Sequence, residues 1–449
     1  MKITIKFMLL ILLISFLLIF VGCNKSKVVP ADSSQQDFSS SPQVNIDAFK
    51  DQGRVAFVWN GLLYVLDGGK GALAKLSDAG QARWPKWSPD GQWLAYIRYS
   101  DAQEKRGVLC VVKPDGSQSY EVDGLPLLVD TNGITWLPAS DEFIVSPGGY
   151  VLPEEQDLYR KLYVVRPGET PRKIDAQAGC LSPDGKIIAY GDILPDSDNK
   201  QYPGMRSDAL YVVPIEGGES VQLYAAKGDG MINGARWWPD AKGLLFRMAV
   251  QHSASIMADG MELYSMPLTG GEPRLLAKSL IYPEWLSWSP DGSTLLAVKG
   301  AGREIWRNKS LVACDVKTGE SVDLPRRPNT VSLDPDWSPD GKHIAYVEAA
   351  EEEDLAEAGE VSAWQQTRTL WVADAGGKNA RQVSEAGTGI SRPLWSRDGA
   401  HIIYLKENSI WLIDINGGSP VKLVGPFPNA PDSQGYYGYV SWSNILALY

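Results

Sequence analysis

Trp337-Ser338-Pro339-Asp340-Gly341, followed by the apolar run Ile344-Ala345-Tyr346-Val347, is one copy of a unit that fills most of this 449-residue chain. Clean copies of its first half are Trp87-Ser88-Pro89-Asp90-Gly91 and Trp288-Ser289-Pro290-Asp291-Gly292. Worn copies are Leu181-Ser182-Pro183-Asp184-Gly185, Trp395-Ser396-Arg397-Asp398-Gly399 and Trp237-Trp238-Pro239-Asp240. Trp136-Leu137-Pro138 and Trp442-Ser443-Asn444 keep little beyond the Trp. Measured from the Trp, or from Leu181, the intervals are 49, 45, 56, 51, 49, 58 and 47 residues. A period of this size belongs to propeller blades or solenoid units.

Each unit reads as four short strands. Ser-Pro-Asp-Gly is turn chemistry, with Pro339 presetting φ and Gly341 supplying a positive φ. The run from Ile344 to Val347 then reads as a second strand. Thr369-Leu370-Trp371-Val372-Ala373-Asp374 reads as a third, Gly376-Gly377 as a turn and Arg381-Gln382-Val383 as a fourth. Such a sheet buries too little alone and must stack on its neighbours, so the sixteen Trp residues read mostly as core. Seven units are complete. Arg54-Val55-Ala56-Phe57-Val58, Leu62-Leu63-Tyr64-Val65-Leu66 and Ala74-Lys75-Leu76 supply strands two to four of an eighth. Tyr439-Val440-Ser441-Trp442 reads as its first strand, which closes the ring and removes an open edge. The expectation is an all-β, eight-bladed β-propeller over residues 53–449, with seven blades as the alternative; Ile445 to Tyr449 is left as a spare strand.

The Trp-Ser-Pro-Asp-Gly, Ile-Ala-Tyr and Leu-Tyr-Val pattern resembles the TolB-type propeller family, from Arg54 to Tyr449. The resemblance implies the blade and no particular activity. TolB has fewer blades and an added α/β domain, so its partners do not carry over. The propeller of the prolyl oligopeptidase family is similar too, but there it precedes a hydrolase domain that this chain is read as lacking.

Lys2 and Lys6 precede a fifteen-residue apolar run from Phe7 to Val21, too short for a full span and typical of a secretory signal. Phe20-Val21-Gly22-Cys23 resembles a bacterial lipobox. The expectation is a signal peptide over 1–22, acylation (palmitate among the chains) at Cys23, and a flexible Ser/Gln-rich spacer over 23–52. The propeller then faces the periplasm or the exterior from the cell membrane or outer membrane, with its only membrane contact through the anchor. The formal charge of −11 argues against nucleic acid. Cys110, Cys180 and Cys314 sit in different units and are read as unpaired thiols.

Loops between strands two and three are long and irregular, whereas the opposite face carries only tight turns, so function is expected on the long-loop face. Its candidate binding residues are Trp306, Arg303, Arg307, Tyr282, Trp364, Tyr436 and Tyr437, exposed-looking aromatics with an adjacent cationic spot. Glu351-Glu352-Glu353-Asp354-Leu355-Ala356-Glu357 reads as a helix-prone acidic insertion.

Catalytic signatures are scarce. There is no Gly-x-Ser-x-Gly elbow. His343 and His401 occupy a repeating blade position, and His252 has no ligand-spaced neighbour. Asp196-Ser197-Asp198-Asn199 departs from a calcium loop at Lys200 and Gln201. No metal or cofactor is expected. Two readings follow. The first is a monomeric, non-enzymatic scaffold that presents its long-loop face to an envelope protein or glycan. The second is an enzyme, hydrolase or lyase, acting on polysaccharide or peptide at the axial funnel; it requires ionisable side chains to converge there.

Overall fold

The turn chemistry of the repeat is built as the sequence implies. In Trp337-Ser338-Pro339-Asp340-Gly341 the Ser338 hydroxyl donates to Asp340 Oδ1 (2.6 Å) and accepts from the His343 N–H (2.9 Å). Gly341 takes a φ of 69°. The same Ser–Asp pair closes the turn at Ser88, Ser182, Ser289 and Ser396. The repeated aspartates are therefore turn ties and do not form a carboxylate site. Ser338 is buried, so Ser338→Ala strands a backbone N–H and is expected to lower stability by about 1–2 kcal/mol in urea titration.

The computed structural model describes residues 41–449 apart from 102–103, 105, 132, 139, 148–160, 178, 193–206, 229, 251–258, 356, 386–388, 429–432 and 435–436. Its β-structure forms eight four-stranded antiparallel sheets, the blades of an eight-bladed propeller, plus a two-stranded ladder of Ser433–Gln434 and Tyr439–Val440. Seven blades run in chain order, with inner strands at Gln81–Trp87, Ile134–Trp136, Cys180–Leu181, Gly230–Trp237, Leu286–Trp288, Thr330–Trp337 and Ser391–Trp395. We number them one to seven. In the eighth, Arg54–Trp59, Leu62–Asp67 and Ala72–Lys75 are joined on the inside by Leu446–Leu448.

That last strand corrects the sequence reading. Leu446–Leu448, within the stretch left as spare, is the inner strand of the closing blade, and Tyr439–Val440 is not. The turn after Trp442, where the Ile445 and Leu446 amides both donate to the Trp442 carbonyl, places the strand beyond the Trp instead of before it. The segment read as spacer also ends early: Val44 bridges Val424, and Phe49 is fully buried among residues of blades seven and eight.

The repeat Trp joins neighbouring sheets, as its bulk implies. Trp237 Nε1 donates to the Cys180 carbonyl of the preceding blade (2.9 Å). Trp395 Nε1 reaches the Asp336 carbonyl (3.3 Å), and Trp87 Nε1 reaches the Ala447 carbonyl across the closure (3.1 Å). Cys110, Cys180 and Cys314 are unpaired. Among the described residues no helix is long and apolar enough to cross a membrane.

Candidate functional site

The inner strands of four blades share a defect. In each, the register with the second strand slips by one residue, between Arg83 and Lys86, Asn233 and Arg236, Leu333 and Asp336, and Ser391 and Leu394. Each bulge holds one residue in the left-handed region: Trp84 (φ 59°), Gly234 (60°), Asp334 (48°) and Arg392 (48°). A side chain in that region costs about 1–3 kcal/mol, and such strain clusters at functional sites. Three of the four bulges carry a Pro next, Pro85, Pro335 and Pro393. Proline has no N–H for the ladder and is confined to such breaks. The bulged segments carry charged residues on the inner strands, which ring the axis.

Charged and polar groups from blades five, six and seven meet there. Glu284 accepts from the hydroxyls of Tyr439 and Ser443, and Arg392 Nη1 donates to Ser443 Oγ (3.3 Å). Asp334 accepts from Trp285 Nε1 (3.0 Å) and from the Arg392 N–H (3.1 Å). Asp336 accepts from Ser287 Oγ (3.3 Å) and the Trp395 N–H (3.0 Å). All three carboxylates lie deep in the molecule yet keep partial solvent contact.

Their protonation differs. Burial drives the Asp336 carboxyl up to about 6, against the hydrogen bonds from Trp395 and Ser287. Burial raises Asp334 too, opposed by Arg368. Burial also pushes Glu284 upward, but the Arg392 guanidinium and the two hydroxyls outweigh it and hold the group below the ordinary carboxylate range. One carboxylate stays ionised while another titrates near pH 6, a separation of the kind that acid–base chemistry uses.

The candidate binding residues sit elsewhere. Trp306 and Trp364 are buried and pack edge to face, 6.0 Å between centroids, so neither is an exposed anchor. Arg303 is not a free cation: Asp259 grips it through two hydrogen bonds, and Tyr437 adds a third and a cation–π face. Arg307 is exposed and donates to the Glu353 carbonyl (3.4 Å). The loop 300–309 is tied from within by Lys309, whose buried ammonium donates to the carbonyls of Ala301, Gly302 and Arg307. Tyr282 stacks on Tyr439 with centroids 3.6 Å apart and so belongs to the axial cluster. Glu351 to Leu355 of the acidic insertion are not helical; the helix starts later, at Ala358–Gln365, with Glu357 and Glu360 forming a capping box. Acidic side chains favour a helix N-terminus over its interior, which explains the shift. Cys23, Tyr436, His252 and Asp196 to Asn199 lie outside the described residues. A groove between the outer strands of blades six and seven, lined by Gln382, Glu385, Lys406 and Pro420, lacks such a carboxylate set.

No family model matches the chain. It is 30% identical over 121 residues to the uncharacterized peptidase YuxL of Bacillus subtilis, a match spanning 26% of this chain and 16% of the peptidase. It is 24% identical over 279 residues to an uncharacterized protein of Agrobacterium fabrum, covering 59% of this chain and 83% of that one. Among solved structures, a prolyl endopeptidase superposes with a TM-score of 0.46 at 12% identity, over 86% of this chain and 49% of that one. A TolB-like propeller of Agrobacterium tumefaciens superposes at 0.32 and 18%, over 62% and 94%. These structures are likenesses of fold. The chain thus spans under a fifth of the curated peptidase it matches and half of the endopeptidase.

The expectation of a non-enzymatic scaffold is corrected by these findings. The peptidase match and the ionisable groups converging on the axis both favour the enzyme alternative.

Proposed function

We propose that this chain is a propeller enzyme, a hydrolase or lyase, that cleaves a peptide or polysaccharide at the axial channel. One observation carries the reading: Glu284, just before the inner strand of blade five, and Asp336, on the inner strand of the adjacent blade six, have their carboxyls driven apart, one ionised and one protonatable near pH 6. In this reading Asp336 gives a proton to the leaving group and Glu284 accepts one from water or from the substrate. Arg392 and Asp334 hold the pair in place. The partial match to a peptidase supports a peptide as the first substrate class to assay.

The test is turnover of panels of oligopeptides and of neutral and acidic oligosaccharides by the purified protein and by Glu284→Gln and Asp336→Asn. A fall in kcat of about 10²–10⁴-fold in each variant, on the same substrate, is expected. Turnover that survives both substitutions, or no turnover on either panel, overturns the reading.

The TolB-like blade pattern and the lipobox support, as part of the same reading, an extracytoplasmic lipoprotein held by Cys23. Radiolabelled palmitate is expected to enter the native chain in cells and to be absent from Cys23→Ser.

A further inference from the structure

The channel wall also carries positive charge that nothing in the proposed chemistry uses. Lys86 of blade one and Arg236 of blade four occupy the same repeat position, immediately before the Trp, as Asp336 does in blade six. Lys86 Nζ donates only to backbone, the carbonyls of Ile134 (2.6 Å) and Thr131 (3.3 Å). Arg236 is open to the channel, yet surrounded by enough protein that burial lowers its pKa. Among the described residues no acceptor lies within hydrogen-bonding reach of its guanidinium. Glu284 attracts it from a distance but spends its own oxygens on Tyr439 and Ser443.

These cations also repel one another. Burial and the nearby Arg236 charge depress Lys86 to about 8, with Asp130 pulling the other way. Arg247, bonded to Ser279 Oγ, is lowered to about 10 by burial and by the same Arg236. Like charges gathered in a partly desolvated wall destabilise each other unless an anion answers them. The chain has the acidic residues to do so, with a formal charge of −11, but among the described residues none is in contact with Arg236. A guanidinium with its fork unoccupied matches a carboxylate in two parallel hydrogen bonds.

We propose that Arg236, supported by Lys86, is a subsite that binds a carboxylate of the ligand on the channel wall beside Glu284. It rests on the enzymatic reading only for its role as a substrate subsite. The ligand is thereby acidic, and its carboxylate is supplied by a uronate or by an acidic peptide side chain.

The experiment is calorimetric titration of the full chain with trigalacturonate, with triglutamate, and with the methyl ester of trigalacturonate, alongside Arg236→Gln and its thermal melting. Binding of either acid at least tenfold tighter than the ester, weakened at least tenfold in Arg236→Gln, supports the subsite, and the acid that binds names the source. Arg236→Gln is also expected to melt at or above the native temperature, because it removes a repelled charge; weakened binding with a lowered melt would assign Arg236 a structural role and overturn the proposal. Equal affinity for acid and ester, unchanged affinity in the variant, or no binding of either acid also overturns it. Binding that meets the criteria with no turnover of either acid sinks the enzymatic reading and leaves the subsite standing.

Discussion

Removing Leu446 to Tyr449 is expected to abolish cooperative folding of the whole ring, although it deletes four residues. Val55, Ala56 and Phe57 lose their partners Leu448, Ala447 and Leu446. The paired bonds between Arg54 and Tyr449 and the bond from Trp87 Nε1 to Ala447 go as well. Arg54 and Arg397 also lose the Tyr449 ring they cover, 4.3 and 4.4 Å from its centroid. At about 1 kcal/mol per hydrogen bond and about 2 kcal/mol for the buried Leu446 side chain, the loss exceeds about 5 kcal/mol, comparable with the stability of a whole domain. Urea unfolding followed by Trp fluorescence should show a broad transition near zero denaturant. A sharp transition at the native midpoint would mean that closure lies elsewhere.

Asp336→Asn is expected to make the protein more stable at pH 8 while removing its activity. Because the Asp336 carboxyl is raised to about 6 in the folded state, the folded protein holds an extra proton between about pH 4 and 6. Stability therefore falls as pH rises through that window, and the full penalty of a buried carboxylate stands above it. Two pKa units correspond to about 3 kcal/mol. Asn keeps an acceptor for the Trp395 N–H, and its amide donates to Ser287 once that hydroxyl turns, so the neutral side chain fits the same bonds. The gain should reach about 2–3 kcal/mol at pH 8 and vanish near pH 4, where native Asp336 is already protonated. Paired urea titrations at the two pH values measure it. A difference between variant and native that does not change with pH would show that Asp336 titrates as an ordinary surface acid.

The blades were legible because their signal is local and repeated: Ser-Pro-Asp-Gly sets a turn by its own backbone, and the Trp must lie between sheets wherever it occurs. The closing strand was harder, since Leu446–Leu448 has no Trp beside it and Trp442 precedes a turn. The axial site was not legible from the motif, because its residues vary from blade to blade: Lys86, Arg236, Ser287 and Asp336 fill one repeat position with four chemistries. A signal was nevertheless present. Trp84-Pro85-Lys86-Trp87, Asp334-Pro335-Asp336-Trp337 and Arg392-Pro393-Leu394-Trp395 put a proline where an inner strand should continue its ladder. The aromatic residues chosen on the long-loop face misled for the opposite reason, since Trp306 and Trp364 turn inward to each other.

The closing blade also fixes an order of events in the cell. Arg54 to Lys75 emerge from the ribosome before any other blade, as three quarters of a sheet with an apolar, unpaired margin. That margin waits for the strand Leu446–Leu448, while seven blades are synthesised in between. Any product cut short before Leu446 by a stalled ribosome or an early stop shows quality-control proteases an open sheet, and only a polypeptide that carries the closing strand hides it.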